Sequence, residues 1–412
     1  MERRVVITGM GAITPIGNNI PAYWESLEKG NCGICKITRF EDPECKITCA
    51  GEVKDFDPTT VVDKKEVRRT DLFSIYAMAA ADEAVAMSGI DLDSIDKERL
   101  GVVIGSGIGG LVTIEEQATK MATKGINRIA PLFIPMAISN MAAGNVAIRF
   151  GARGTCIDVV TACASSTHSI GEAFRSIKHG YSDYIIAGGA EASICRLGIG
   201  GFAALKALST SEDPQRASIP FDKERGGFVM GEGAGVLFME SLESAQARGA
   251  KIYAEVVGYG STCDANHITA PLEDGDGAAK AMLAAMSEAG IDKSEVGYIN
   301  AHGTSTHIND AAETLAIKKA FGEAAKDINI SSTKSMTGHL LGATGAIEAI
   351  ATVFALEKGI IPPTIGYKVP DEECDLNYTP NTAVKRDVKY ALSNTLGFGG
   401  HNGVICLKKW ED

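Results

Sequence analysis

Two stretches of the chain repeat one pattern, and that repeat limits the folds open to it. "RRVVITGMGAITPIG" (residues 3–17) runs as an apolar strand, a Gly-x-Gly turn and then small polar residues, and "KIYAEVVGYGSTCDAN" (251–266) does the same. "GVVIGSGIGG" (101–110) is matched by "VGYINAHGTST" (296–306). Strands alternate with helices throughout. "TCIDVVTA" (155–162) and "DYIIAGGAE" (183–191) read as buried strands. "DLFSIYAMAAADEAVAMSG" (71–89), "SSTHSIGEAFRSIKHG" (165–180) and "GATGAIEAIATVFALEKG" (342–359) have helical spacing and end at glycine. The pattern predicts an α/β protein of two similar βα-rich halves, residues 1–250 and 251–412, related by duplication. The 412 residues, 45% of them hydrophobic, suffice for a large core, and 46 glycines suit close packing of elements.

A net charge of −12 argues against a general nucleic-acid binder. No signal peptide precedes "VVITGMG", and no apolar run reaches the roughly 18 residues of a membrane span. A cytoplasmic protein is expected, with its ten cysteines mostly free thiols.

Three motifs have plain explanations. "GSGIGG" matches G-x-G-x-x-G at Gly105, Gly107 and Gly110. Glu115 and Glu116 come too early for a ribose-binding acid, so a tight turn at a strand end is expected. Cys32, Cys35, Cys45 and Cys49 approach the spacing of a structural zinc site. A fold this large needs no metal staple, and packing thiols are expected. "DKKEVRRTD" (63–71) gathers Lys64, Lys65, Arg68 and Arg69, either as a solvated face or as a docking site for an acidic partner.

Chemistry concentrates in four other segments. In "IDVVTACASSTHSIG" (157–171) Cys163 stands where a strand meets a helix, flanked by alanines. A helix N-terminus favours a thiolate, and small neighbours leave the sulfur approachable. "INAHGTSTHIND" (299–310) puts His302 after a strand in a Gly-Thr turn, and "SSTKSMTGHLLGATGAIEA" (331–349) puts Lys334 and His339 before a helix. Strand ends of an α/β sheet converge on one crevice. In "NTLGFGGHNG" (394–403) the glycines let backbone approach a ligand, and an N–H there could complete an oxyanion hole.

"TACASSTHSI", "NAHGTST", "KSMTGHLLGATG" and "GFGGHN" occur in order. With "GFAALKALS" (201–209) and "FDKERGGFVMGEGAG" (221–235), the chain resembles the elongating β-ketoacyl-acyl carrier protein synthases, most of all the type II enzymes, over nearly its whole length. The resemblance implies a thiolase-like five-layered αβαβα sandwich of two duplicated halves, forming a homodimer. The N-terminal half carries the nucleophile Cys163, and the C-terminal half carries His302, Lys334 and His339.

The resemblance also implies roles. Cys163 takes the acyl chain as a thioester, and the N–H groups of Cys163 and Phe398 form the oxyanion hole. His302 and His339 bind the malonyl thioester oxygen as carbon dioxide leaves. Lys334, paired with Glu313, orients them. Thr304 and Thr306 hold the phosphopantetheine arm. Ile108, Phe133 and Phe202 line the acyl pocket, with Phe133 crossing the dimer interface. Lys65, Arg68, Arg69, Arg128 and Lys206 dock an acidic acyl carrier protein. No bound metal or other cofactor is expected, since substrates arrive on the carrier's arm; a structural monovalent cation is left open. His307 stands where the family often has proline, a local variation at the carrier's entrance.

A thiolase would carry a second cysteine in the C-terminal glycine loop, where this chain has His401. A non-catalytic chain-length partner would lack Cys163. A ketosynthase of a type II polyketide pathway shares every catalytic residue and stays open, as does the acyl chain length.

Overall fold

The computed structural model describes residues 2–411. Ten strands form one hydrogen-bonded sheet: β1 (Val5–Ile13), β2 (Leu100–Gly105), β3 (Cys156–Ile157), β4 (Tyr184–Glu191), β5 (Gly233–Ser241), β6 (Ala254–Cys263), β7 (Val296–Asn300), β8 (Asn329–Ser331), β9 (Tyr390–Gly397) and β10 (His401–Lys409). Their order is β8-β7-β9-β10-β6-β1-β5-β4-β2-β3. Each set of five has the same internal order. Counted along the chain, it runs third, second, fourth, fifth, first. In both sets the first strand is antiparallel to the fifth and the fifth to the fourth, while the other two neighbours are parallel. The sets join where Val5, Val6 and Ile7 pair with Val256, Glu255 and Ala254.

Six helices complete the layers: α1 (Leu72–Ser88), α2 (Met141–Phe150), α3 (Ser165–Lys178), α4 (Asp276–Ala289), α5 (His307–Phe321) and α6 (Thr344–Lys358). α1 and α2 cover one outer face and α4, backed by α5, the other, while α3 and α6 lie between the two sets of strands. This is the five-layered thiolase-like αβαβα sandwich. A helix in the middle layer meets protein on every side, so it must be apolar or small all round. α6 meets this demand except at Glu348, with every residue from Thr344 to Leu356 buried.

The repeated Gly-x-Gly pairs are not turns, contrary to expectation. Gly9 and Gly11 lie inside β1, and Gly258 and Gly260 inside β6. A Cβ on Gly11 would stand 1.9 Å from the Ala80 carbonyl oxygen of α1, and one on Gly260 equally close to that of Ala281 in α4. The glycines let an outer helix rest directly on the strand backbone, by the same device in both halves. Gly260→Ala should therefore lower stability by about 1–3 kcal/mol or more in denaturant unfolding, as overpacking does. Gly201→Ala, on the helix Arg196–Ala204 with open space at the Cβ position, should leave stability unchanged or slightly higher.

The run 155–162 also differs from the sequence reading. Only Cys156 and Ile157 pair, at the sheet edge, and Ile157 and Val160 remain 42% and 52% exposed.

Candidate active site

The chain leaves β3, passes Thr161 and turns through a single 3-10 turn, Ala162–Ala164, into α3. Ala162 has φ +52°, which costs a non-glycine residue on the order of 1–3 kcal/mol. Ser165 holds the turn. Its Oγ accepts from the Thr161 N–H at 2.9 Å and donates to the Ala162 carbonyl at 2.7 Å. This places Cys163 at the entry of α3, as the sequence requires. Burial pushes the thiol up to about 12, against the pull of Lys334's charge and of the Cys163 and Phe398 N–H groups. The sequence reading weighed the helix end, whereas desolvation dominates.

His302 follows β7. Its N–H and that of Gly303 each donate to the Glu313 carboxylate at 2.8 Å, so Glu313 on α5 fixes the turn. His339 follows the short helix Lys334–Thr337, and its Nδ1 bonds the Thr344 hydroxyl at 2.9 Å. The two imidazoles meet edge to face, centroids 5.4 Å apart. His302 Nδ1 and His339 Nε2 are buried without a protein partner. Burial, and then the charge of Lys334, hold both imidazoles well below the usual histidine range, with His339 adding a further push on His302. Both are neutral at pH 7.

Lys334 pairs with Glu348 of α6 at 2.5 Å, not with Glu313 as expected. Glu313 is occupied by two backbone donors, and Glu348 comes from the helix packed beneath. Burial pushes the Glu348 carboxyl up to about 8, against Lys334. Glu348 has a sequence signal of its own: it is the lone acid in the apolar run 342–356. Glu191, at the end of β4, was also missed. It accepts from the Gly107, Ile108 and Gly342 N–H groups and from Ser106 and Ser193, and burial pushes it up to about 7. The glycine run 105–110 thus wraps a buried carboxylate.

The loop between β9 and β10 faces the cysteine turn. A Cβ on Gly397 would meet the Thr161 carbonyl at 2.6 Å and the Cys163 nitrogen at 3.4 Å, and Gly399 and Gly400 have φ +87° and +77°. Cys163, His302, His339 and Phe398 line one cavity of about 380 Å³. Phe202 lines it too, 6.2 Å from the Phe398 ring, and Ile108 packs in the apolar cluster behind. Phe133 lies apart from this cavity, half-buried on the short helix Phe133–Ala137. Thr304 and Thr306 line the mouth, their hydroxyls 3.0 Å apart, with Lys206 and the exposed His307 beside them. Lys65, Arg68, Arg69 and Arg128 are exposed, and none of them nor Lys206 forms an ion pair among the described residues.

The Cys32, Cys35, Cys45 and Cys49 thiols each donate to a backbone carbonyl, of Pro214, Ala50, Ile47 and Ser211 respectively. Among the described residues no three His, Cys, Asp or Glu side chains group as a metal site. Asn300 Oδ1, Ser393 Oγ, Asn394 Oδ1 and Glu348 Oε2 are buried oxygens without partners. Cys406 is fully buried on β10, outside the glycine loop, where a thiolase's second cysteine would stand.

Comparison with known proteins agrees with this geometry. Residues 2–245 match the family described as beta-ketoacyl synthase, N-terminal domain, and residues 253–368 its C-terminal domain. A 3-oxoacyl-[acyl-carrier-protein] synthase 2 of Staphylococcus aureus is 54% identical over 410 residues, 100% of this chain and 99% of that one. The Synechocystis protein of the same name is 51% identical over 411 residues, with the same coverage. A type II polyketide ketosynthase, solved with its acyl-carrier protein and bound to a hexaketide, superposes with a TM-score of 0.93 at 36% identity over the whole of both chains. A beta-ketoacyl synthase from Burkholderia phymatum gives 0.92 at 33%, covering 99% of this chain and 100% of that one. The chain belongs to the β-ketoacyl synthase family.

Proposed function

We propose that the protein elongates fatty acyl chains by decarboxylating Claisen condensation with malonyl-acyl carrier protein, giving a β-ketoacyl-acyl carrier protein and carbon dioxide. The convergence of Cys163, two buried neutral imidazoles and a glycine-loop N–H on one cavity carries this reading. Cys163 sulfur attacks the acyl thioester carbonyl and the carrier's thiol leaves. The Cys163 and Phe398 N–H groups meet the oxyanion. Malonyl thioester then enters. As its carboxylate leaves as carbon dioxide, the electron pair develops enolate charge on the thioester oxygen, which His302 and His339 bind. The enolate carbon attacks acyl-Cys163, the new carbon–carbon bond forms and the sulfur is released. Neutral imidazoles suit this task, since the step needs N–H donors rather than a strong base.

Thr304 and Thr306 hold the phosphopantetheine arm, and the acyl chain runs past Phe202 and Ile108. A second copy covers the exposed edge at Ile157 and Val160, with Phe133 entering its pocket, in a cytoplasmic homodimer. Residues 1–250 and 251–412 are its duplicated halves. Lys65, Arg68, Arg69, Arg128 and Lys206 receive the acidic carrier. Reversing Arg68 and Arg69 to glutamate should raise KM for both carrier-bound substrates by about tenfold or more, flatten the salt dependence and leave kcat little changed. Steady-state kinetics at several ionic strengths check this.

The decisive experiment is mass spectrometry after incubation with palmitoyl- or hexanoyl-carrier protein. The reading expects one acyl adduct, on Cys163, absent from Cys163→Ala. No adduct on Cys163 with charged carrier overturns it. Scanning acyl lengths separates fatty-acid from polyketide use.

A further inference from the structure

The two oxyanion donors come from segments far apart in sequence, and one buried side chain touches both. His168 lies on α3 beyond the nucleophile and is 5% exposed. Its Nδ1 is 2.7 Å from the Thr161 hydroxyl, and Thr161 opens the cysteine turn. Its Nε2 is 3.4 Å from the Asn402 carbonyl and 3.4 Å from Ser261 Oγ. Asn402 is on β10 where the chain leaves the glycine loop, and its amide holds Asp264 at 2.7 Å and reaches back to the Gly400 carbonyl. The rings of Tyr259 and His401 pack edge to face on His168 at 6.0 and 6.3 Å. A Cβ on Gly403 would stand 3.1 Å from its Nε2, so the glycine eases the close approach of β10.

The Asn402 contact favours one tautomer. A carbonyl only accepts, so Nε2 carries the hydrogen toward Asn402, and Nδ1 accepts from Thr161. Burial keeps the ring in this neutral form. The Thr161 carbonyl in turn abuts Gly397, beside Phe398. The imidazole therefore clamps the strained turn at Ala162 to β10, the strand that leaves the loop carrying the second donor.

We infer that His168 is a positioning residue for acyl transfer: through Thr161 and Asn402 it sets the separation at which the Cys163 and Phe398 N–H groups receive the oxyanion.

This inference rests on the proposed acyl transfer to Cys163, and the test separates the two. Two rates are compared per folded molecule: acylation of Cys163 by palmitoyl-carrier protein, which needs the oxyanion hole, and alkylation by iodoacetamide, which does not. In His168→Phe, acylation should slow about 10–100-fold, while alkylation stays within about threefold. Thr161→Val, nearly isosteric and without the hydroxyl, should behave alike and keeps the test open if His168→Phe fails to fold. The double variant should be no slower than the worse single one, since both break one contact. Equal falls in both rates, no fall in acylation, or multiplying effects in the double variant overturn the positioning role. Absence of acylation in the unmodified protein overturns the proposed function instead.

Discussion

His339→Ala should slow malonyl decarboxylation about 10²–10³-fold, some 2.7–4 kcal/mol, while Cys163 is still acylated at close to its normal rate. The argument starts at Thr344. Its hydroxyl bonds His339 Nδ1, so the neutral ring presents Nε2 free of protein partners. With Thr344 donating to Nδ1, Nε2 carries the hydrogen in advance, in a buried position. Its value appears only when charge develops on the malonyl thioester oxygen, which makes it a transition-state interaction. Acylation uses the backbone donors instead. The check is single-turnover kinetics that follow carbon dioxide release and acyl-Cys163 formation separately. Equal losses in both half-reactions would assign His339 to scaffolding.

Lys334→Ala should destabilise the protein by about 3–5 kcal/mol, because it leaves the buried Glu348 carboxyl without the ammonium it pairs with. Both side chains are almost wholly buried, at 1% and 0% exposure. Replacing both, as Lys334→Met with Glu348→Leu, should recover most of that stability in denaturant unfolding, since no charge is then left unpaired. It should not recover the pH profile. Lys334 lowers both imidazoles, so its removal lets them protonate at higher pH. The acid limb of decarboxylation then moves upward in the double variant. An unmoved limb would show that burial alone keeps His302 and His339 neutral.

The chemistry of the site was legible because it is concentrated in short motifs. A cysteine at a strand–helix junction, histidines in Gly-Thr turns and a glycine loop each state their function locally. What failed depended on distant contacts. Gly9, Gly11, Gly258 and Gly260 read as turns, since a glycine needed for close approach looks the same in sequence as one needed for positive φ. The resemblance paired Lys334 with Glu313, on the helix after the His302 turn. The real partner lies on the helix after its own turn, as a single acid in an apolar stretch. The run 155–162 is apolar enough for a core strand, yet only Cys156 and Ile157 pair, at the sheet edge. His168 sits unremarked inside the nucleophile motif, and only the contacts to Thr161 and Asn402 set it apart.

The most direct test starts from protein carrying an acyl group on Cys163, to which malonyl-carrier protein labelled in its free carboxyl is added. Labelled carbon dioxide and a β-ketoacyl-carrier protein two carbons longer should appear in equal amounts as the Cys163 adduct is discharged. Discharge to free fatty acid, or carbon dioxide release with the adduct left intact, would contradict the condensation.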